Sequence, residues 1–356
     1  MRFSSIFKII ILNIFISKMA HSAVCEERYP PDSEECQYVQ ELEQKAEQGD
    51  ESAQFALGSW YAEGRYVKPD YKLAIKWLEK AGKQGSDFSY FILGYHYNYG
   101  ENFPLSRQKA LEWYRKAAEL GDSSTQEILG DAYMYGDGFP QNTQLALEWY
   151  RRAAAQGLAE AQDAIGVMFM QGEGVSQDYQ QALAWYRKAA RQGLPAAQTH
   201  LGIMSAFGRG VAQSDRQAIA WYRKAAKQDF AKAQYQLGVA YSTGSGVPEN
   251  SRNALKWYLK AAEQGFTPAQ SALGEIYAHG RQGVPKDNKQ AYIWYYMASI
   301  YTEKSKDDCS ALIAERNRLK GTLTPDQLSE TYAAFDLIRR KINQSKEAKK
   351  IARKKY

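Results

Sequence analysis

The chain has 356 residues, 44% of them hydrophobic, with 26 Tyr and 8 Trp, which is enough for a large core and unlike a disordered or collagenous composition. The formal charge of +6 is unevenly spread: Arg2, Lys8 and Lys18 fall in the first 23 residues, and nine Lys or Arg against one acid, Glu347, follow from Arg339, so the body between carries −5. A mildly acidic body argues against a nucleic-acid-binding groove, and the three cysteines have no metal-ligand spacing.

Residues 1–23 read as a secretory signal. Arg2 and Lys8 supply positive charge, Ile9 to Ile16 is apolar apart from Asn13, and small residues Ser22 and Ala23 follow. The apolar run is about half of the roughly 20 residues a membrane helix needs. Cleavage and export, to the periplasm or beyond, are therefore expected over a retained anchor. Lys18 is irregular in that region and leaves the cut position open, and Val24 is too bulky to precede a lipidated Cys25. Cys25 and Cys36 can close a short loop that pins the mature N-terminus, or stay as free thiols; Cys309 is left over in a polar stretch. Residues 24–49 are expected to form an N-terminal cap, with a polar helix that ends near Ala46 and Gly49.

From residue 50 to residue 301 the chain is periodic. Leu-Gly pairs stand at Leu57-Gly58, Leu93-Gly94, Leu129-Gly130, Leu201-Gly202, Leu237-Gly238 and Leu273-Gly274, with Ile165-Gly166 in the remaining slot, each step 36 residues. Trp77, Trp113, Trp149, Trp185, Trp221 and Trp257 keep the same clock, and Trp294 is one residue late because of an extra residue near Gln282. Fixed periods of this length mark repeat architectures, here seven helix-turn-helix units in an all-α chain.

In the first helix of each unit, Ala53, Leu57, Gly58 and Tyr61 share one face, and Gly58 is expected to let a neighbouring backbone come close. A glycine stops this helix at Gly64, Gly100, Gly136, Gly172, Gly208, Gly244 and Gly280. No Gly-Lys-Ser/Thr follows the glycine-rich turns, so they are turn chemistry and do not cradle phosphate. Asp70, Ser106, Asn142, Asp178, Ser214, Asn250 and Asp287 each precede a repeated Ala by four residues and are N-cap types, which predicts the start of the second helix. That helix is expected to end at Gly85, Gly121, Gly157, Gly193 and Gly265, with Asp229 as the exception. Each Trp can bury roughly 150–250 Å² against the next unit. No pair of helices buries its apolar face alone, so the units must stack, with caps at both ends. Residues 302–342 lose the period and predict two C-terminal capping helices, the second opened by Thr324-Pro325. Residues 343–356 are expected to be a disordered, solvated basic tail, with weak contact to anionic surfaces at most.

The pattern Ala-Gln-x-x-Leu-Gly-x-x-Tyr-x-x-Gly-x-Gly-Val, then Asp-x-x-x-Ala-x-x-Trp-Tyr-x-Lys-Ala-Ala-x-x-Gly, resembles the Sel-like repeat family of tetratricopeptide-like solenoids. It is clearest at Ala161-Gln162, Ile165-Gly166, Gly172 to Val175, Asp178, Ala182, Trp185-Tyr186 and Lys188-Ala189-Ala190. The resemblance covers about residues 38–301 and implies a right-handed α-solenoid that serves as an adaptor for protein complexes, in bacteria often exported and in some cases acting in envelope processes or host-cell contact. Tyr66, Asn102, Ser205 and Asp229 depart from the pattern and predict local loop or packing variation. Relatives rich in cysteine repeat a Cys pair that is absent here, so packing alone must hold these units together.

At 100° per residue, the face of the first helix opposite the buried one holds the positions equivalent to 55, 59, 62 and 63. They carry Phe55, Phe91, Tyr95, Tyr99, Met134, Tyr135, Val167, Met170, Ile203, Phe207, Tyr235 and Val239. A solvent-facing helix side is ordinarily polar, and apolar surface of this extent marks an interaction site. These residues are expected to line a concave groove that holds a protein or peptide partner; the alternative is that the superhelix curls tightly and buries them against one another.

Nothing predicts a cofactor or metal. His21 leaves with the signal, and His96, His200 and His279 lie in different units at different helix positions. Glu127 and Asp131 stand one turn apart on one first helix, with Asp163 in the next unit, and these are the residues a glycan-acting hydrolase would have to use. A binding scaffold needs no such pair and is the expected function, with a glycan- or peptidoglycan-binding module as the alternative. Polar caps predict a monomer.

Overall fold

A computed structural model describes residue 30, residues 33–302 and residues 310–353. The expected signal segment, Cys25 and Cys309 lie outside the described residues. Seventeen α-helices and no named strand occur among the described residues, and the chain is an all-α solenoid. It divides into two compact units, residues 1–176 and 177–356.

The first unit holds α1 (Glu34–Glu47), α2 (Glu51–Glu63), α3 (Tyr71–Lys83), α4 (Asp87–Tyr99), α5 (Arg107–Leu120), α6 (Ser123–Tyr135), α7 (Thr143–Ala155) and α8 (Ala159–Gln171). The second holds α9 (Tyr179–Arg191), α10 (Pro195–Phe207), α11 (Asp215–Ala226), α12 (Ala231–Thr243), α13 (Ser251–Ala262), α14 (Thr267–His279), α15 (Asn288–Thr302), α16 (Ser310–Lys320) and α17 (Pro325–Arg353). Within each unit every helix packs on the one that follows it in sequence, except at the C-terminal end, where α16 and α17 both pack on α15.

Local chemistry sets the boundaries. Gly64, Gly100, Gly136, Gly172, Gly208 and Gly244 cap the first helices in the left-handed region. The N-cap side chains act as expected: Asp70 Oδ1 accepts from the backbone N–H of Lys72 and Leu73, and Asn142 Oδ1 from that of Leu145. The same cap residues do a second job. The N–H of Asp70, Ser106, Asn142, Ser214, Asn250 and Asp287 donates back to the carbonyl of Tyr61, Tyr97, Tyr133, Ser205, Tyr241 and Tyr277, which ties the start of each second helix to the first.

The helix glycines make room for a side chain rather than chiefly for a backbone. A Cβ at Gly94, Gly130, Gly202, Gly238 or Gly274 would overlap the ring of Tyr114, Tyr150, Tyr222, Tyr258 or Tyr295, the residue that follows the repeated tryptophan. Only Gly58 faces Leu78, where both the side chain and the backbone N come within 3 Å. Four of the tryptophans are less enclosed than those tyrosines. Trp113, Trp185, Trp221 and Trp257 are half-buried, and each is covered by Lys116, Lys188, Lys224 or Lys260 one turn on, with the ammonium 3.9–4.9 Å from the ring centre.

A second repeated contact is made by glutamine. In the first unit Gln126 Nε2 donates to Ala118 O at 3.0 Å, while its Oε1 accepts from Gln156 Nε2 at 2.9 Å. Gln156 Nε2 also reaches Gly121 O at 2.8 Å. In the second unit the same clasp joins Gln198 to Gln228 and Gln234 to Gln264.

At the ends, α1 buries Cys36, Val39 and Ala46, and Cys36 is disulfide-bonded. At the other end, Thr324 and Gln327 form a reciprocal capping box, Gln327 N–H to Thr324 Oγ1 and Thr324 N–H to Gln327 Oε1. Phe335 and Ile342 of α17 close over Met297. Helix α17 does not stop at 342: it runs on to Arg353, through most of the tail expected to be disordered. No Gly or Pro interrupts residues 326–353, and Ala, Lys, Arg and Glu are good helix formers.

Of the four departures from the repeat, three adopt left-handed backbone without being glycine: Tyr66 at φ 61°, Asn102 at 58° and Asp229 at 55°. Asn102 is held by a 2.9 Å bond from Nδ2 to Ala62 O, and the Tyr66 ring packs on Trp60. Ser205, the fourth, is buried and bonds to Leu201 O.

Candidate interaction surface

In the first unit, the first-helix face expected to be open carries a continuous aromatic strip. Phe55 lies 5.7 Å from Phe88, Phe88 stacks on Phe91 at 5.6 Å, Phe91 approaches Tyr95 at 6.5 Å, and Tyr95 approaches Tyr99 at 4.6 Å. Phe55, Phe91 and Tyr95 are half-buried, so one side of each packs on the strip while the other meets solvent, and Tyr99 is 49% exposed. Phe88, 53% exposed, completes the strip and is absent from the residues read off the helix wheel. It stands in the opening turn of α4, where the equivalent residues are Ser52, Ser124 and Glu160, so no repeated apolar column announces it.

Tyr135 projects furthest, 75% exposed, and Val167 and Met170 are half-buried. Met134 does not belong to this surface. It is only 6% exposed, because its column turns partly under the helix: Ala62 in the same position is fully buried. A 100° wheel places this column at the edge of the open face, and packing decides its side.

In the second unit Phe207 is 67% exposed and lies under the Arg209 guanidinium at 5.3 Å, beside half-buried Ile203. Tyr235 and Val239 are half-buried, with Tyr235 against Tyr258 and Phe266 at 5.7 and 5.4 Å. The open face here mixes aliphatic and aromatic residues and is sparse compared with the strip of the first unit.

The carboxylates of α6 interrupt the first unit's apolar face. Tyr150, lying in the space left by Gly130, donates from its hydroxyl to Asp131 Oδ1 at 2.6 Å. Burial, then the charges of Asp131 and Glu160, push Glu127 up to about 7. Burial also raises Asp131, against the Tyr150 hydrogen bond and the charge of Arg107, which both lower it. Arg107 is itself paired with Asp137 at 2.8 Å. Both acids stand on one face of one helix and would approach any bound molecule from the same side, whereas glycoside cleavage uses carboxyls that flank the scissile bond.

Of the described histidines, two pack on aromatic rings and one is exposed. His96 is buried on Phe103 and bonds through Nδ1 to Glu101 O, His200 lies against Tyr186, and His279 bonds to Glu275 O. Burial lowers the His96 pKa. Among the described residues no three His, Cys, Asp or Glu side chains gather within reach of one metal ion.

Stacked two-helix units with apolar first-helix faces define a repeat solenoid of the tetratricopeptide-like class. The Sel1 repeat model matches residues 51–86, 88–122, 123–158, 159–194, 195–230, 231–266 and 267–299, and the chain belongs to the Sel1 repeat family. Two solved structures are similar to it over most of its length. A protective antigen of uropathogenic Escherichia coli strains with an SLR fold is 32% identical, with a TM-score of 0.62 over 85% of this chain; the chain spans 63% of that antigen. A Sel1 repeat protein of Oxalobacter formigenes is 34% identical, with a TM-score of 0.65 over 78% of this chain and 80% of its own. No protein of curated function matches the chain. Sel1 repeat proteins are in general protein-interaction scaffolds of a non-catalytic kind, and no described helix is long and apolar enough to cross a membrane.

Proposed function

We propose that the chain is an exported, non-enzymatic scaffold that captures a protein or peptide partner on the open face of its first helices. The carrying observation is the aromatic strip Phe55–Phe88–Phe91–Tyr95–Tyr99, whose rings lie against one another and are still partly in solvent. Mutual packing orders these rings before a partner arrives, so binding costs little side-chain entropy. The signal-like segment at residues 1–23 supports export, and the polar caps support a monomer. A disulfide between Cys25 and Cys36 is part of this reading, since an oxidising compartment favours it.

Replacing Phe91, Tyr95 and Phe207 with Ser tests the surface. Crosslinking pull-down from the native envelope should recover a protein on the parent chain and lose it on the triple variant, with circular dichroism and melting unchanged. Recovery at parental levels would remove the open face as the binding surface. Fusing residues 1–40 to a reporter that is active only outside the cytoplasm tests export.

A further inference from the structure

The acid pair of α6 has no structural counterpart along the repeat. A carboxyl pair required by the fold would recur with the period, yet the positions equivalent to Glu127 and Asp131 hold Phe55 with Ser59, Phe91 with Tyr95, Asp163 with Val167, and Thr199 with Ile203. The pair is set on the aromatic face and not apart from it. Tyr114, whose ring lies 5.8 Å from Phe91, feels the charge of Arg107, and so does Asp131. Tyr135 feels the charge of Asp131. Arg107 is the basic group that acts on this site, and it is already engaged with Asp137 at 2.8 Å and Asn98 at 2.9 Å.

Resting on the scaffold reading above, we infer that the first unit binds a peptide segment bearing one lysine or arginine beside large apolar side chains, with the cation on Glu127 and Asp131 and the apolar neighbours on Phe91 and Tyr95. Desolvating two carboxylates against a neutral apolar segment is costly, whereas a cation between them offsets that cost with charge-assisted hydrogen bonds. Glu127 held up near 7 by burial agrees with a site lacking its counter-charge. The second unit has no such acid pair on its open face: Ile203, Val239 and Glu275 occupy the Asp131 position, and Thr199, Tyr235 and Ser271 the Glu127 position.

A random dodecapeptide library displayed on phage and selected on the full chain is the test, with selected peptides then measured by fluorescence polarisation against three variants. Selected peptides should carry Lys or Arg together with aromatic or aliphatic side chains. Glu127→Gln/Asp131→Asn should weaken them about tenfold or more, as expected for losing hydrogen bonds to a charged group, and Phe91→Ser/Tyr95→Ser should abolish them. Glu127→Gln alone keeps the Tyr150–Asp131 bond, so it reports on the cation site even if the double variant melts early. Apolar peptides that bind the parent and the acid variants equally would overturn the cation while leaving the surface in place. Selected peptides indifferent to Phe91→Ser/Tyr95→Ser would remove both. A synthetic peptide of residues 343–356 that outcompetes every selected clone would make the chain's own tail the occupant and overturn the inference.

Discussion

Gly130 leaves no space for a methyl group, since a Cβ there would overlap the buried ring of Tyr150. On an ordinary helix Gly→Ala gains up to about 1 kcal/mol; here overpacking, roughly 1–3 kcal/mol, opposes it. Gly130→Ala should lower unfolding stability by about 1 kcal/mol in urea titration, and a gain would show that the tyrosine has room to move. The opposite sign is expected at Asp229, exposed and left-handed where other repeats place Gly85, Gly121, Gly157, Gly193 and Gly265. A left-handed L-residue costs roughly 1–2 kcal/mol, less for Asp, so Asp229→Gly should stabilise by up to about 1 kcal/mol in the same assay. Glu127 adds a pH effect. Its folded pKa, raised to about 7 from 4.5, means that the protonated form favours folding fully below the unfolded value and that this favour is lost as pH rises through about 7. Glu127→Gln should therefore melt higher than the parent at pH 8 and alike at pH 4; equal melting at both would show that the carboxyl is not desolvated.

Among the elements, the glutamine clasp joins the start of a repeat's first helix to the end of its second through side chains 30 residues apart, and ties both to backbone carbonyls of the preceding repeat. Gln126→Leu would leave the buried carbonyl of Ala118 without its side-chain donor and deprive Gln156 of an acceptor. A loss of about 1–3 kcal/mol in chemical denaturation is expected. Repeat two shows what replaces the clasp. Tyr90 stands where Gln would be, Leu120 where its partner would be, and Gly82 takes the place of a repeated Ala because a Cβ there would meet the Tyr90 ring. At the far end Gln270 keeps the first half of the clasp, donating to Ala262 O, while its buried Oε1 accepts no bond; the residue 30 further on is Ile300. The Ala-Gln pair is visible in sequence, but its partner is not, because the bond joins two positions that meet only when the two helices of the repeat pack together.

Across the whole molecule, stability in such an array is a sum of repeat and neighbour terms. Removing residues 310–356 uncovers Met297, Tyr292 and Tyr295, which are buried against the C-terminal helices. Hydrogen exchange in residues 267–300 should then quicken while residues 51–86 keep their protection. Equal exchange throughout would mean that α16 and α17 do not act as a cap.

The amino-acid order alone determined the repeat, its two helices, the N-cap column and the glycine stops, because each rests on contacts within a few residues or on a strict period. Most of the aromatic strip was legible for the same reason. Stacking decided what depends on neighbours distant in the chain: that Phe88 joins the strip, that Met134 turns inward, that the helix glycines seat tyrosine rings, and that Glu127 and Asp131 lie desolvated beside Tyr150. Side-chain burial at the edge of a helix face is set by the adjoining helix, and a helical wheel contains no adjoining helix.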